Sequence, residues 1–125
     1  MTLEERINSF RELKQNWDSY KADIISEIAI EKALSVLKYF KYLDPSIQIN
    51  VFPSNGGIEF EFDSMFTSSE LEIYKEGDFE YVEYSKDGDF VKGEDFTDFE
   101  KSEFFNQFIK PKIRDEKIDD YIKDI

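Results

Sequence analysis

The sequence predicts an α+β fold: an antiparallel β-meander of about four to five strands packed against N-terminal and C-terminal helices. Two observations carry this. Apolar residues recur every three to four positions in the first 41 residues and again beyond residue 97, but alternate with polar residues at a period of two between 47 and 91. Three stretches of turn chemistry then cut the middle into short pieces: Pro53-Ser54-Asn55-Gly56-Gly57, Lys75-Glu76-Gly77-Asp78 and Ser85-Lys86-Asp87-Gly88. Short strands joined by tight turns pair with their chain neighbours, which makes a meander rather than a crossover sheet.

The elements follow in order. Thr2-Leu3-Glu4-Glu5 fits a capping box, and Ile7, Phe10, Leu13 and Trp17 continue as one apolar stripe, predicting a helix over residues 3 to 16. A second helix is expected from Ser26, with Ile30, Ala33, Leu34, Leu37 and Phe40 on one face, ending before Asp44-Pro45. Ile47, Ile49 and Val51, then Ile58, Phe60 and Phe62, make the two arms of a hairpin. Further strands are expected at 71–74, 79–84 and 89–91. Thr97-x-x-Glu100 is a second capping-box match, leading a helix with Phe104, Phe105, Phe108 and Ile109 that should stop before Pro111. Ile118, Tyr121, Ile122 and Ile125 mark a last amphipathic segment.

Composition removes most chemistry that can be read from a sequence. The 125 residues form one domain (1–125) by the usual size prior, and 40% apolar content with 13 Phe and 7 Tyr can fill a core. There is no Cys and no His, which excludes thiolate nucleophiles, Cys-ligated metals, imidazole ligands and Ser-His-Asp triads. No apolar run approaches 18 residues, and Thr2, Glu4, Glu5 and Arg6 do not resemble a secretion signal, so the expectation is a cytoplasmic protein. Gly56-Gly57 is not a phosphate loop, because no Gly-Lys-Ser/Thr follows. Asp87-x-Asp89 is not a calcium loop, because Val91 and Lys92 stand where an oxygen ligand and a glycine are needed. No cofactor and no metal ligand is assigned.

The charge is concentrated. Residues 1–57 carry 8 acids and 7 bases, residues 58–103 carry 16 and 4, and residues 104–125 carry 5 of each, so the formal net charge of −13 belongs almost wholly to the meander and the segment after it. If the apolar residues of 58–62 face the core, strand alternation places Glu59, Glu61 and Asp63 in a row outside, with Glu70 and Glu72 joining them from the next strand. Tyr74, Tyr81 and Tyr84 lie beside acids and are candidate anchors of the kind interfaces favour. A charged face is more often a solvated surface than a site, and an aromatic excess is more often core, so both readings stand beside the functional one. A net negative chain repels phosphate backbones and anionic leaflets, which excludes a direct nucleic-acid or membrane partner.

The most distinctive local text is Leu13-Lys14-Gln15-Asn16-Trp17-Asp18-Ser19-Tyr20, then Ile24-Ile25-Ser26, and later Pro53-x-x-Gly56-Gly57-Ile58-Glu59-Phe60-Glu61-Phe62. It resembles a set of small uncharacterised bacterial and phage proteins with a Trp-Asp-Gly-Tyr-Gly-Ala-x-Pro-Ile-like loop and a later Asp-Gly-Gly-Ile-x-Leu-Glu-Trp-like strand. The resemblance covers roughly residues 10 to 75. Ser19 and Lys21 stand where that set has glycines, Ile24 where it has proline, and Phe62 one place beyond its aromatic. The resemblance implies no reaction and no catalytic residue. Within the loop, Trp17 reads as a core anchor and Asp18 as a turn cap, while Asp18 and Tyr20 are its candidate binding residues.

The expected function is therefore an acidic inhibitor or neutraliser acting by occupancy on a basic, nucleic-acid-binding target protein. Immunity, antitoxin, anti-restriction and anti-CRISPR proteins, some of them nucleic-acid mimics, are the analogues. Two alternatives stay open: a carboxylate-based metal-dependent enzyme, and a non-catalytic adaptor whose charge serves solubility only.

Overall fold

Thr2 opens the first helix in the computed structural model, which describes residues 1–123. Its hydroxyl accepts from the Glu5 amide at 3.1 Å and the Glu5 carboxylate accepts from the Thr2 amide, the reciprocal pair expected of a capping box. The helix α1 (Leu3–Ser9) tightens into a 3₁₀ turn at Phe10–Glu12 and stops there, with Leu13 already extended. The predicted helix to residue 16 is thus too long. Trp17 belongs to the following loop, although its ring still packs on the core.

Ser26 caps α2 (Glu27–Leu37), its hydroxyl accepting from the Ala29 amide at 3.0 Å. Ala29, Ile30, Ala33 and Val36 are the buried stripe, and Phe40 continues it in a short 3₁₀ turn, Phe40–Tyr42. The sheet then follows as β1 (Gln48–Pro53), β2 (Ile58–Asp63), β3 (Thr67–Ile73), β4 (Phe79–Ser85) and β5 (Phe90–Phe96). All pairings are antiparallel and the strand order is β1-β2-β3-β4-β5, the meander that turn spacing predicts. Two strands are longer than expected. β3 begins at Thr67 because Thr67, Ser68 and Ser69, which carry no apolar signal, find partners in Ser85, Tyr84 and Glu83. β5 runs on to Phe96, which pairs with Phe79 and stacks on its ring at 5.1 Å.

One core lies between the inner face of the sheet and the helices. Ile58, Phe60, Leu71 and Ile73 are fully buried there, each contributing roughly 1.5–3 kcal/mol by leaving water. The aromatic excess is largely spent in this core. Phe40 meets Phe60 and Phe62 edge-on at 4.9 and 5.3 Å, Phe62 lies 5.7 Å from Phe104, and Tyr81 lies 4.9 Å from Phe104. Gly57, just before β2, permits a close backbone approach to β3, since a Cβ there would fall 2.1 Å from the Ile73 carbonyl oxygen.

The C-terminal region departs from expectation twice. Thr97-x-x-Glu100 does not cap a helix. Instead the Asp98 carboxylate accepts from the Glu100 amide and starts a 3₁₀ turn, Phe99–Lys101, after which the Ser102 hydroxyl accepts from the Phe105 amide at 3.1 Å. Nor does Pro111 end the helix. A π turn at Phe105–Ile109 precedes α3 (Lys110–Lys123), and Pro111 sits in the first turn of α3. Proline normally clashes with the carbonyl four residues back, here Gln107, which lies inside the widened turn where that clash is relieved. The last segment is helical, and the apolar residues of its stripe that can be described are not covered: Ile118 and Ile122 are 50% and 60% exposed. Ile125 and the side chain of Tyr121 lie outside the described residues. No described helix is long and apolar enough to cross a membrane.

Candidate functional site

Because β2, β3 and β4 turn Ile58, Phe60, Phe62, Leu71, Ile73, Phe79 and Tyr81 inward, the pleat sends the residues between them to the opposite face. That outer face has no buried residue. Glu59, Glu61, Glu70 and Glu72 are half-buried and Asp63 is exposed, as strand alternation predicts for all five.

The register aligns them across the sheet. Glu59 stands opposite Glu72, Glu72 opposite Glu80, and Glu80 opposite Asp95, so a single row of four carboxylates crosses four strands. Glu61 stands opposite Glu70 in the row beside it. Neighbours relieve only part of the repulsion. Ser54 Oγ donates to Glu72 at 2.8 Å, Tyr74 Oη donates to Glu80 at 3.2 Å, and Lys86 pairs with Asp63 at one corner. Partial burial, first, and then the charge of Glu70 push the Glu59 carboxyl up to about 7; a hydrogen bond shared with Glu70, and the charges of Glu72 and Glu61, act the same way. Partial burial and the carboxylates of Glu72 and Glu80 push the Tyr74 phenol up to about 12.

Of the three tyrosines, two belong to this face. Tyr74 is 39% exposed at the end of β3 and Tyr84 is half-buried on β4. Tyr81 does not belong to it. It is 4% exposed and turned into the core, because Tyr81 and Tyr84 are an odd number of residues apart on one strand and cannot share a face. Its assignment as a surface anchor is corrected accordingly. Glu80 and Asp95 were missed, although the parity of Glu80 with Tyr84 was visible in the text of β4. Asp95 depended on a strand whose length was not.

The loop of residues 13–26 lies elsewhere and is closed on itself. The Trp17 indole donates to the Asp23 carbonyl at 2.8 Å, and Asp18 Oδ1 accepts from the amides of Tyr20 and Ala22 at 2.8 and 3.1 Å. Asp18 is therefore a turn cap, half-buried, with Tyr20 beside it 87% exposed. The loop is tied to the sheet by Asp23 N to Asn55 Oδ1 at 2.7 Å and Ser26 Oγ to the Lys75 carbonyl at 2.7 Å. Asn16, Ser19 and Lys21 hold φ of 64°, 65° and 66°, the left-handed region.

Among the described residues no three acids are gathered as a metal ion would require. A separate cleft of about 400 Å³ opens on the inner face of the sheet near the β2–β3 turn, lined among others by Phe62, Phe66, Ser69, Tyr81, Glu83 and Phe104. Comparison with protein-family models, curated proteins and solved structures finds no match to this chain.

Proposed function

We propose that this protein is a cytoplasmic neutraliser acting by occupancy, its acidic sheet face covering a basic surface on a target protein that itself handles nucleic acid. The observation that carries this reading is the row Glu59–Glu72–Glu80–Asp95. Like charges facing one another across strands oppose sheet pairing, each pair by roughly 0.2–1 kcal/mol. Solubility asks only for scattered charge of mixed sign, whereas a ladder of one sign is what a complementary surface requires. Strands lie about 4.8 Å apart. The row therefore presents carboxyl groups at a spacing approaching that of phosphates on a nucleic-acid strand, one per roughly 3.4 Å of axis, which supports a mimic of the immunity, antitoxin, anti-restriction or anti-CRISPR kind. Tyr74 and Tyr84 supply the aromatic contacts that slow dissociation.

The test is capture of a basic protein from the native host by the wild-type chain and by the triple reversal Glu59→Lys, Glu61→Lys, Glu72→Lys. Capture that weakens steeply with salt and is lost in the reversal supports the reading. Capture indifferent to both returns the acidic face to a solubility role.

A second reading, a carboxylate enzyme, draws on Glu59 and its carboxyl pushed up to about 7, in the range suited to a general acid. Multiple turnover that EDTA abolishes and Mg²⁺ restores would favour it. The occupancy reading requires instead that target inhibition titrate to a fixed stoichiometry with EDTA irrelevant.

The chain also reads as a degenerate member of the bacterial and phage set it resembles. Ser19 and Lys21, the two residues that replace that set's loop glycines, are two of the three non-glycine residues with positive φ among those described.

A further inference from the structure

The 400 Å³ cleft is independent of the acidic face, since it lies on the other side of the sheet, and it is within the size range of small-ligand sites. Phe62, Phe104, Phe108 and Ile47 are among its apolar lining, and Met65 and Phe66 stand at the β2–β3 turn 81% and 78% exposed. Its polar side chains are hydroxyls and two carboxylates, Asp44 and Glu83. Ser69 and Tyr81 are hydroxyls more than nine-tenths buried, and Tyr81 Oη donates to Glu83 Oε1 at a long 3.4 Å. Asp44 is also at the wall, but its carboxylate is engaged by the Ser46 amide and hydroxyl. No Lys or Arg lines the cleft.

From this combination we propose that the cleft binds a small hydrophobic organic cation, an aryl or alkyl body ending in a primary ammonium. The body takes the place of water against the phenylalanine walls and the exposed Met65–Phe66 pair. The ammonium donates to the Glu83 carboxylate, whose only side-chain donor among the described residues is the weakly held Tyr81 hydroxyl, and to the Ser69 oxygen. Lys92 stands opposite Glu83 across β4 and β5 but donates to Gln107 at 3.0 Å and does not line the cleft, so an anion there would meet two carboxylates.

The test is an amide chemical-shift titration of the full chain with phenethylammonium, 2-phenylethanol and 3-phenylpropionate, three probes with the same ring and different ends. Saturable shifts at Ser69, Tyr81, Glu83 and Phe104 are expected with phenethylammonium, about tenfold weaker with the alcohol and absent with the carboxylate, since a charge-assisted hydrogen bond exceeds a neutral one by that order. Glu83→Gln should weaken the ammonium to the level of the alcohol and leave the alcohol unchanged, with amides remote from the cleft unmoved. Equal affinity for the alcohol or the carboxylate, the absence of saturable shifts at millimolar probe, or an unaltered ammonium affinity in Glu83→Gln overturns the proposal.

Discussion

Glu59 and Glu70 lie one diagonal apart on neighbouring strands, and the partial burial of Glu59 together with the charge of Glu70 favours a proton on Glu59. Glu59 is the group pushed up, to about 7 from an ordinary 4.5. Between those values the folded chain binds a proton that the unfolded chain has released, so this group's contribution to stability is greatest below pH 4.5 and is lost as pH rises through 7. Melting temperature is expected to increase on acidification from pH 8 toward pH 5. Glu59→Gln should flatten that increase and raise the melting temperature at pH 8. A variant that keeps the wild-type pH profile removes Glu59 as its source.

Reversing a single charge in the middle of the row separates stability from binding. Glu72→Lys faces Glu59 on one side and Glu80 on the other, turning two repulsive pairs into attractive ones. Stability should rise by roughly 0.5–1 kcal/mol in denaturant titration, while affinity for a basic partner falls. A fall in both would mean that the Ser54–Glu72 hydrogen bond matters more than the repulsion.

Gly57 and Gly88 should respond very differently to alanine. At Gly57 the added Cβ meets backbone that cannot yield without moving β3, so a loss of about 3 kcal/mol or more is expected by analogy with severe overpacking. At Gly88, φ is +89° but no atom lies within 4 Å, and the loss should be about 1 kcal/mol, the cost of a left-handed turn residue. Equal losses in thermal unfolding would contradict the register of Ile58 with Ile73.

Lys21→Gly in the 13–26 loop should stabilise the protein, by up to about 1 kcal/mol, because a side chain at φ 66° carries strain that glycine does not. The bond from the Lys21 amide to Asn16 Oδ1 survives the change. Trp17→Ala is the counterpart, expected to lose about 3 kcal/mol by removing a partly buried ring and its bond to the Asp23 carbonyl. A Trp17→Ala protein that melts like the wild type would show that the ring serves an interface rather than the fold.

What the sequence disclosed depended on whether a local rule governed the element. Period-two alternation from Ile58 to Phe62 was enough to place Glu59, Glu61 and Asp63 outside, and the glycine turns were enough for the strand order. The same alternation, applied to β4, would have separated Tyr81 from Tyr84 and brought in Glu80. That error was one of parity and not of missing information. Other features were decided by distant parts of the chain. The first helix ends at Glu12 although its apolar stripe runs on to Trp17, because the Asn16 amide bonds the Ala22 carbonyl and draws the chain into a closed loop. Helix continues past Pro111 because a π turn absorbs the clash, and nothing in residues 105–111 announces a widened turn. The cleft could not be read at all, since Ser69 and Glu83 become its polar lining only once β3 pairs with β4 beside Phe104.

The unbroken strand order has a kinetic consequence. Each strand finds its hydrogen-bonding partner within a few residues along the chain, so closing every ladder orders only a short loop. As the chain emerges from a ribosome, β2 can zip onto β1 before β3 has appeared, and so on through β5, without any strand waiting for a remote one. The exception is the contact of Phe62 and Tyr81 with Phe104, which needs the last helical region and so seals the core late. Substitutions at Phe104 should therefore accelerate unfolding while leaving the refolding rate nearly unchanged, whereas substitutions at Leu71, in the centre of the meander, should slow refolding.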